Sequence, residues 1–158
     1  MLQSSEAWLA DVLRAAGCEG CMHVLDIDSG RAIGLYPDQV VVAASVFKVV
    51  VAVELYRQAA VEGLAVTDHV HIDDDNRTAG PTGLSNAQDP ATLSLRDLAS
   101  LMLSISDNTA TDALIARVGL ERINATIQAL GLRHTVLVGD LRGLIASIIE
   151  DASTRWRK

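Results

Sequence analysis

Aromatic residues and positive charge are both in short supply in this chain of 158 residues. Aromatic side chains make up 3% of the sequence, so few rings are present that could stack on nucleic-acid bases. The formal net charge is -7, which would repel a polyphosphate. We therefore expect no nucleic-acid partner.

Long apolar runs and secretion signals are also lacking. The run from Val40 to Val53 is interrupted by Ser45 and Lys48, and it is too short to span a bilayer. The N-terminus contains acidic residues but neither a basic region nor a small-residue cleavage site. We expect no membrane partner and a cytoplasmic protein, or a secreted one if a leader was removed.

The thiols and imidazoles do not form a recognisable metal or redox motif. Cys18 and Cys21 form a CxxC pair at a helix-to-strand junction, and no second pair follows, which favours two semi-buried residues at a turn. His69 and His71 alternate near three aspartates, but a zinc site also needs a third ligand fixed by the fold, so an exposed acidic loop is preferred. We expect neither a metal nor a cofactor.

The hydrophobic pattern predicts an α+β fold in one domain over 1–158. An amphipathic helix over 4–17 and a β-hairpin over 21–37 make up the first part, 1–40. The second part, 41–150, is mainly helical. It has a long apolar helix ending near Gly63, a polar loop over 67–90 with at most fragments of structure, and four further helices, with a polar tail at 151–158.

A serine and a lysine stand at the start of the apolar helix. Ser45 and Lys48 are three residues apart, so they share one helical face with Cβ atoms about 5–6 Å apart. A partly desolvated lysine has a lowered pKa and can accept a proton, and free N–H groups of the first helical turn can bind an oxyanion. We predict that the Lys48 amine lies within hydrogen-bond reach of the Ser45 hydroxyl, as a base beside its nucleophile.

The alternative is a capping serine followed by a lysine that extends to water. A second motif, Ser106-Asp107-Asn108, lies in a tight loop between two predicted helices. A helix cap would explain this triplet on its own. The two motifs together, in this order, are much less expected by chance, and we predict that Ser106 and Asn108 lie in the same cleft as Ser45.

The S-x-x-K and S-D-N motifs resemble those of the class A β-lactamases and penicillin-recognising serine hydrolases. The resemblance extends over the first helix, the hairpin, the glycine-rich loop between the motifs and the helices around S-D-N. It implies that Ser45 is the acylated nucleophile, Lys48 its base or proton relay, and Ser106 the proton donor to the leaving nitrogen. Asn108 would bind the substrate amide and orient Lys48, and Asp107 would be structural.

The 158 residues depart from this family at several points. The family's K-T-G triplet is not present, Glu150 does not stand in the family's E-x-x-L-N context, and Asp112 replaces a customary asparagine. The resemblance implies a β-lactamase-like domain that lacks the C-terminal strands, with impaired hydrolysis of a β-lactam or peptide-like substrate. The alternative is a non-catalytic remnant or interaction protein. A hairpin with two unpaired edges also predicts a dimer or larger assembly.

Overall fold

The structure, a computed structural model, describes residues 4–155, and it divides into two compact units between Val42 and Ala43. The first unit contains α1 (Ser5–Ala15), β1 (Met22–Leu25) and β2 (Ala32–Leu35). The second contains α2 (Lys48–Glu62), β3 (His69–Ile72), β4 (Ala91–Ser94), α3 (Leu95–Ser104), α4 (Asn108–Val118), α5 (Leu120–Ala129) and α6 (Leu141–Arg155). Helices with two small hairpins make an α+β fold, as predicted.

The first unit is a helix packed on a hairpin. Ser4 caps α1 by accepting a hydrogen bond from the Ala7 N–H at 3.2 Å. β1 and β2 pair antiparallel, with Met22 opposite Leu35, so the predicted hairpin is confirmed. The apolar face of α1 stays largely exposed, since Trp8 retains 57% of its accessible surface.

The second unit holds the main hydrophobic core. It is formed chiefly by aliphatic side chains of α2, α3, α4, α5 and β3, including Val51, Leu55, Ile72, Leu98, Met102, Leu114, Ile123 and Ile127. Because α2 contributes buried side chains all along its length, its first residues are held rigidly against the other helices. The start of α2 is therefore a well-fixed place for a functional side chain.

A second hairpin lies where a loop was predicted. β3 pairs antiparallel with β4, with His69 opposite Ser94 and Ile72 opposite Ala91. The sequence predicted a loop with at most fragments of structure over 67–90, and the four residues of β3 are one such fragment. The alternation of exposed histidines with Val70 and Ile72 was the available signal, but the partner strand lies about twenty residues further along.

Two of the later helices, α3 and α4, begin at polar side-chain caps. Ser94 accepts a hydrogen bond from the Asp97 N–H at the start of α3, as the sequence predicted, and α4 is capped in the same way.

α6 continues to Arg155, so the predicted tail is helical up to that residue, while residues 156–158 lie outside the described part. No helix in residues 4–155 has the length and hydropathy needed to cross a membrane. The organisation as a single domain stays a prediction.

A buried carboxylate connects α2 to α5. Glu54 is fully buried and accepts hydrogen bonds from Arg57 at 2.6 and 2.8 Å, from Gln58 at 2.7 Å and from Thr126 at 2.6 Å. The bonds from Arg57, followed by those from Thr126, Gln58 and Arg122, outweigh desolvation and lower the pKa of Glu54 to about 2. This charged network fixes the middle of α2 against α5.

Candidate active site

Ser45 lies in a short 3-10 turn, Ala44–Phe47, that runs directly into α2. Ala44 has a φ of 45°, in the left-handed region that non-glycine residues rarely occupy. Such strain is typical of functional sites. The Ser45 backbone N–H has no backbone hydrogen-bond acceptor within residues 4–155, as is usual in a first helical turn. Ser45 thus presents a hydroxyl and an open N–H at the surface.

Lys48 is buried, with 2% of its surface exposed. Its Nζ donates to the Ser106 carbonyl at 2.6 Å, to Ser106 Oγ at 3.0 Å and to Asn108 Oδ1 at 3.0 Å. An ammonium group has three protons, and each has an acceptor here. The alternative of a lysine that extends to water is therefore wrong.

The pKa of Lys48 lies below its usual range. Burial of the ammonium group is the main cause, and the negative charges of Asp107 and then Asp112 oppose it. Burial thus brings the amine closer to losing a proton at moderate pH than an exposed lysine would be.

Lys48 reaches Ser45 through Ser106. The Ser106 hydroxyl donates to Ser45 Oγ at 2.9 Å, and it accepts from Lys48 at 3.0 Å. No hydrogen bond joins Lys48 directly to Ser45 in the described part of the chain, so the predicted direct contact is wrong. The reason is that the loop at Ser106 and Asn108 takes up all the ammonium protons. The structure does bring all four predicted side chains together.

The backbone of Ser106 explains how one residue offers two acceptors to Lys48. Its φ is 59°, so it too lies in the left-handed region. The next residue, Asp107, is fully buried and accepts from the Ala110 N–H at 2.9 Å and from the Leu84 N–H at 2.7 Å. Asp107 therefore has the structural place predicted for it: it caps α4 and holds the loop whose neighbours contact Lys48.

Two glycines allow the loop over 79–86 to pack against the S-D-N segment. A Cβ atom on Gly83 would lie 2.0 Å from Asp107 Oδ2, and one on Gly80 would lie 3.1 Å from Asn108 Nδ2. Asn108 Nδ2 also donates to the Ala79 carbonyl at 2.9 Å. Sequence reasoning did not assign these glycines a role, although their G-P-T-G spacing was the available signal.

The other sequence candidates lie outside this cluster of side chains. Cys18 and Cys21 are free and exposed rather than semi-buried as predicted. His71 Nδ1 lies 3.1 Å from Thr92 Oγ1, across the β3–β4 hairpin. Within residues 4–155, no three histidine, cysteine, aspartate or glutamate side chains come together in a way that could hold a metal ion.

Ser45, the Ser106 hydroxyl and the buried Lys48 belong to a fold of the serine-hydrolase type. The chain belongs to the β-lactamase enzyme family, whose sequence model matches residues 5–154. The predicted family is thereby confirmed.

Known proteins share both sequence and fold with this chain. The β-lactamase regulatory protein BlaB of Streptomyces cacaoi is 28% identical over 137 residues, which cover 86% of this chain and 44% of BlaB. A β-lactamase structure from Sphaerobacter thermophilus is 32% identical with a TM-score of 0.78, covering 87% of this chain and 52% of that one.

A β-lactamase structure from Chitinophaga pinensis has a TM-score of 0.79 at 18% identity and covers 90% of this chain and 54% of its own. This likeness concerns the fold. The chain thus spans about half the length of these relatives. The α+β fold is that of the β-lactamases, as predicted.

Proposed function

We propose that this protein forms an acyl-serine ester at Ser45 with β-lactam-type amides and hydrolyses that ester slowly. The observation that carries the proposal is the unbroken hydrogen-bonded path from Ser45 Oγ through Ser106 Oγ to Lys48 Nζ. A path of this kind lets a proton leave the nucleophile as it attacks, without a charged intermediate on the serine. Asn108 holds the end of the path in place.

Acylation begins when Lys48 loses one proton to solvent, which its burial favours. The neutral amine can then accept from the Ser106 hydroxyl, which stops donating to Ser45 and accepts from the Ser45 hydroxyl instead. In this reversed direction the Ser45 proton passes to Ser106 Oγ, the Ser106 proton passes to Lys48, and Ser45 Oγ bonds to the amide carbonyl carbon. When the C–N bond breaks, the nitrogen takes the Ser106 proton and Lys48 returns its proton to Ser106. An amide and a hydroxyl thus become an ester and an amine, with no net change in protons.

The open N–H of Ser45 supports the same proposal. It lies in the first turn leading into α2, where backbone N–H groups can stabilise the developing oxyanion. Asn108 already uses Nδ2 on Ala79 and Oδ1 on Lys48, so binding of a substrate amide would share those bonds. Its proposed contribution is the orientation of Lys48 and of the substrate together.

We attribute slow hydrolysis to the groups around the hydrogen-bonded path from Ser45 through Ser106 to Lys48. In residues 4–155, the hydrogen-bond partners of Ser45, Lys48 and Ser106 include no carboxylate that could activate water. A positioned general base typically contributes on the order of 10²–10⁴ in rate. We therefore propose that the ester at Ser45 persists after it forms.

The test is intact-protein mass spectrometry during a long incubation with a reactive penicillin. We expect one adduct per chain, located at Ser45 by peptide mapping, and negligible turnover of a chromogenic cephalosporin. Ser45→Ala should prevent labelling, and Ser106→Ala should slow it on the order of 10²–10⁴ because the proton path is broken. Rapid multiple turnover would contradict the slow hydrolysis, and labelling at another residue would contradict the nucleophile.

A second candidate is a non-catalytic regulatory or interaction protein. It is favoured by the similarity to BlaB, which carries the name of a β-lactamase regulatory protein. In that case the side-chain cluster would be retained as part of the fold. A folded protein that acquires no adduct even after prolonged incubation would support this candidate against acylation.

A further inference from the structure

Asp112 occupies a central place between three segments of the second unit. It lies on α4, one helical turn after Asn108, and its carboxylate accepts three hydrogen bonds. The donors are Thr78 Oγ1 at 2.7 Å and the backbone N–H groups of Leu141 at 2.8 Å and Arg142 at 3.0 Å. One side chain therefore joins α4 to residue 78 and to the start of α6.

Residues 75–79, called here the 75–79 segment, are held from two sides. Arg142 donates to the carbonyls of Asp75 and Arg77, each at 2.8 Å. Asp112 binds the hydroxyl of Thr78, which is 1% exposed. Asp112 thus fixes the backbone N–H of Arg142, and the guanidinium of Arg142 in turn binds two carbonyls of the 75–79 segment.

The 75–79 segment leads directly to the candidate active site. The Thr78 N–H donates to Thr109 Oγ1 at 2.9 Å, which fixes the segment on the first turn of α4. The next carbonyl, that of Ala79, accepts from Asn108 Nδ2 at 2.9 Å, while Asn108 Oδ1 accepts from Lys48. The orientation of the Asn108 amide therefore depends on where this segment lies.

Asp112 also contributes charge. Its carboxylate and that of Asp107 favour the ammonium form of Lys48 against the effect of burial. The other charged groups on the surrounding elements make no hydrogen bond to Lys48: Glu54, Arg57 and Glu62 on α2, Arg96 and Asp97 at the start of α3, Arg117 on α4, Asp75 and Arg77 in the 75–79 segment, and Arg142 on α6. Asp107 is fixed as the cap of α4, so Asp112 is the carboxylate that can be varied without removing that cap.

We propose that Asp112 is a positioning residue for Lys48: its three hydrogen bonds hold the 75–79 segment and the start of α6 on α4, and this orients the Asn108 amide that binds the lysine. The expected effect on the rate of acylation rests on the proposed acylation of Ser45, whereas the expected effect on the titration of Lys48 does not.

The influence of Asp112 on the protonation of Lys48 is tested by titrating the Lys48 amine directly. The chain contains two lysines, Lys48 and Lys158, so Lys158→Arg leaves a single lysine side chain for nitrogen-detected or methyl-labelled NMR. We expect Asp112→Asn to move the Lys48 titration midpoint to lower pH, because a neighbouring negative charge is removed. An unchanged midpoint would overturn the inference.

Asp140→Asn is the matched control for this titration. Asp140 also stands at the start of α6, where its carboxylate accepts from the Gly143 N–H at 2.8 Å. Asp140→Asn removes one negative charge, as Asp112→Asn does, and it weakens one hydrogen bond at the start of α6. We expect the Lys48 midpoint to stay in place. An equal shift in both variants would show a general effect of charge rather than a role of Asp112.

The positioning part is tested by the pH profile of Ser45 acylation. Thr78→Val keeps the shape and the charge of Asp112 but removes one of its hydrogen bonds, so we expect the plateau rate to fall on the order of tenfold with an unchanged midpoint. Asp112→Asn should also move the midpoint to lower pH. An unchanged plateau in Thr78→Val would overturn the positioning role. If the unmodified chain is not acylated, the proposed function fails, and the lysine titration still decides the inference about Asp112.

Discussion

Replacement of Gly83 by alanine tests how closely the glycine-rich loop must approach the S-D-N segment. Gly83 has a φ of 66°, and an added Cβ would lie 2.0 Å from Asp107 Oδ2 and 2.9 Å from Asp107 Cγ. The carboxylate cannot simply rotate away, because it also caps α4 through Ala110. The loop must therefore move, and the bond from the Leu84 N–H to Asp107 is the first to be lost.

The expected cost has two parts. A non-glycine residue in the left-handed region costs about 1–2 kcal/mol. A lost hydrogen bond to a charged, fully buried carboxylate costs about 1.5–3 kcal/mol. We expect Gly83→Ala to lower the free energy of unfolding by about 2.5–5 kcal/mol. Gly63→Ala should show only the first part, because Gly63 has a φ of 75° and no atom within 4 Å of the added Cβ.

The assay is urea unfolding of both variants and of the unmodified chain, followed by circular dichroism. Because Asp107 lies between Ser106 and Asn108, Gly83→Ala should also slow the labelling of Ser45, whereas Gly63→Ala should leave it unchanged. Equal losses of stability in the two glycine variants would refute the reasoning, since the close approach to Asp107 would then contribute nothing.

Two further predictions concern pH and assembly. Glu54→Gln should destabilise the protein by about 1.5–3 kcal/mol at pH 7, because Arg57, Thr126 and Gln58 lose a charged hydrogen-bond acceptor while the two arginines keep access to solvent. Since the pKa of Glu54 is lowered from 4.5 to about 2, the stabilisation by the ionised carboxylate is complete above pH 4.5 and is lost as the pH falls towards 2. Urea unfolding at several pH values should therefore show a difference in the free energy of unfolding between variant and parent that shrinks over that range. A constant difference would contradict this prediction. The two-stranded β1–β2 sheet has unpaired outer edges in the described part of the chain, so we expect self-association in light scattering; a monomer at high micromolar concentration would contradict it.

Local sequence patterns were sufficient for the helices and for the identity of the candidate site. The serine cap before α3, the glycine that ends α2 and the Asp28-Ser29-Gly30 turn between β1 and β2 are signals between residues a few positions apart. The S-x-x-K and S-D-N motifs are short as well, and their common resemblance to one family predicted that Ser45, Lys48, Ser106 and Asn108 lie together.

Tertiary structure decided how these residues are connected. The sequence places Lys48 beside Ser45, but the lysine binds Ser106 and Asn108, about sixty positions away along the chain, and reaches Ser45 through the Ser106 hydroxyl. The same holds for the pairing of β3 with β4, for the contact of Gly83 with Asp107 and for the three bonds to Asp112. Each of these depends on two distant segments being packed at one distance and orientation, which no local pattern in the sequence encodes.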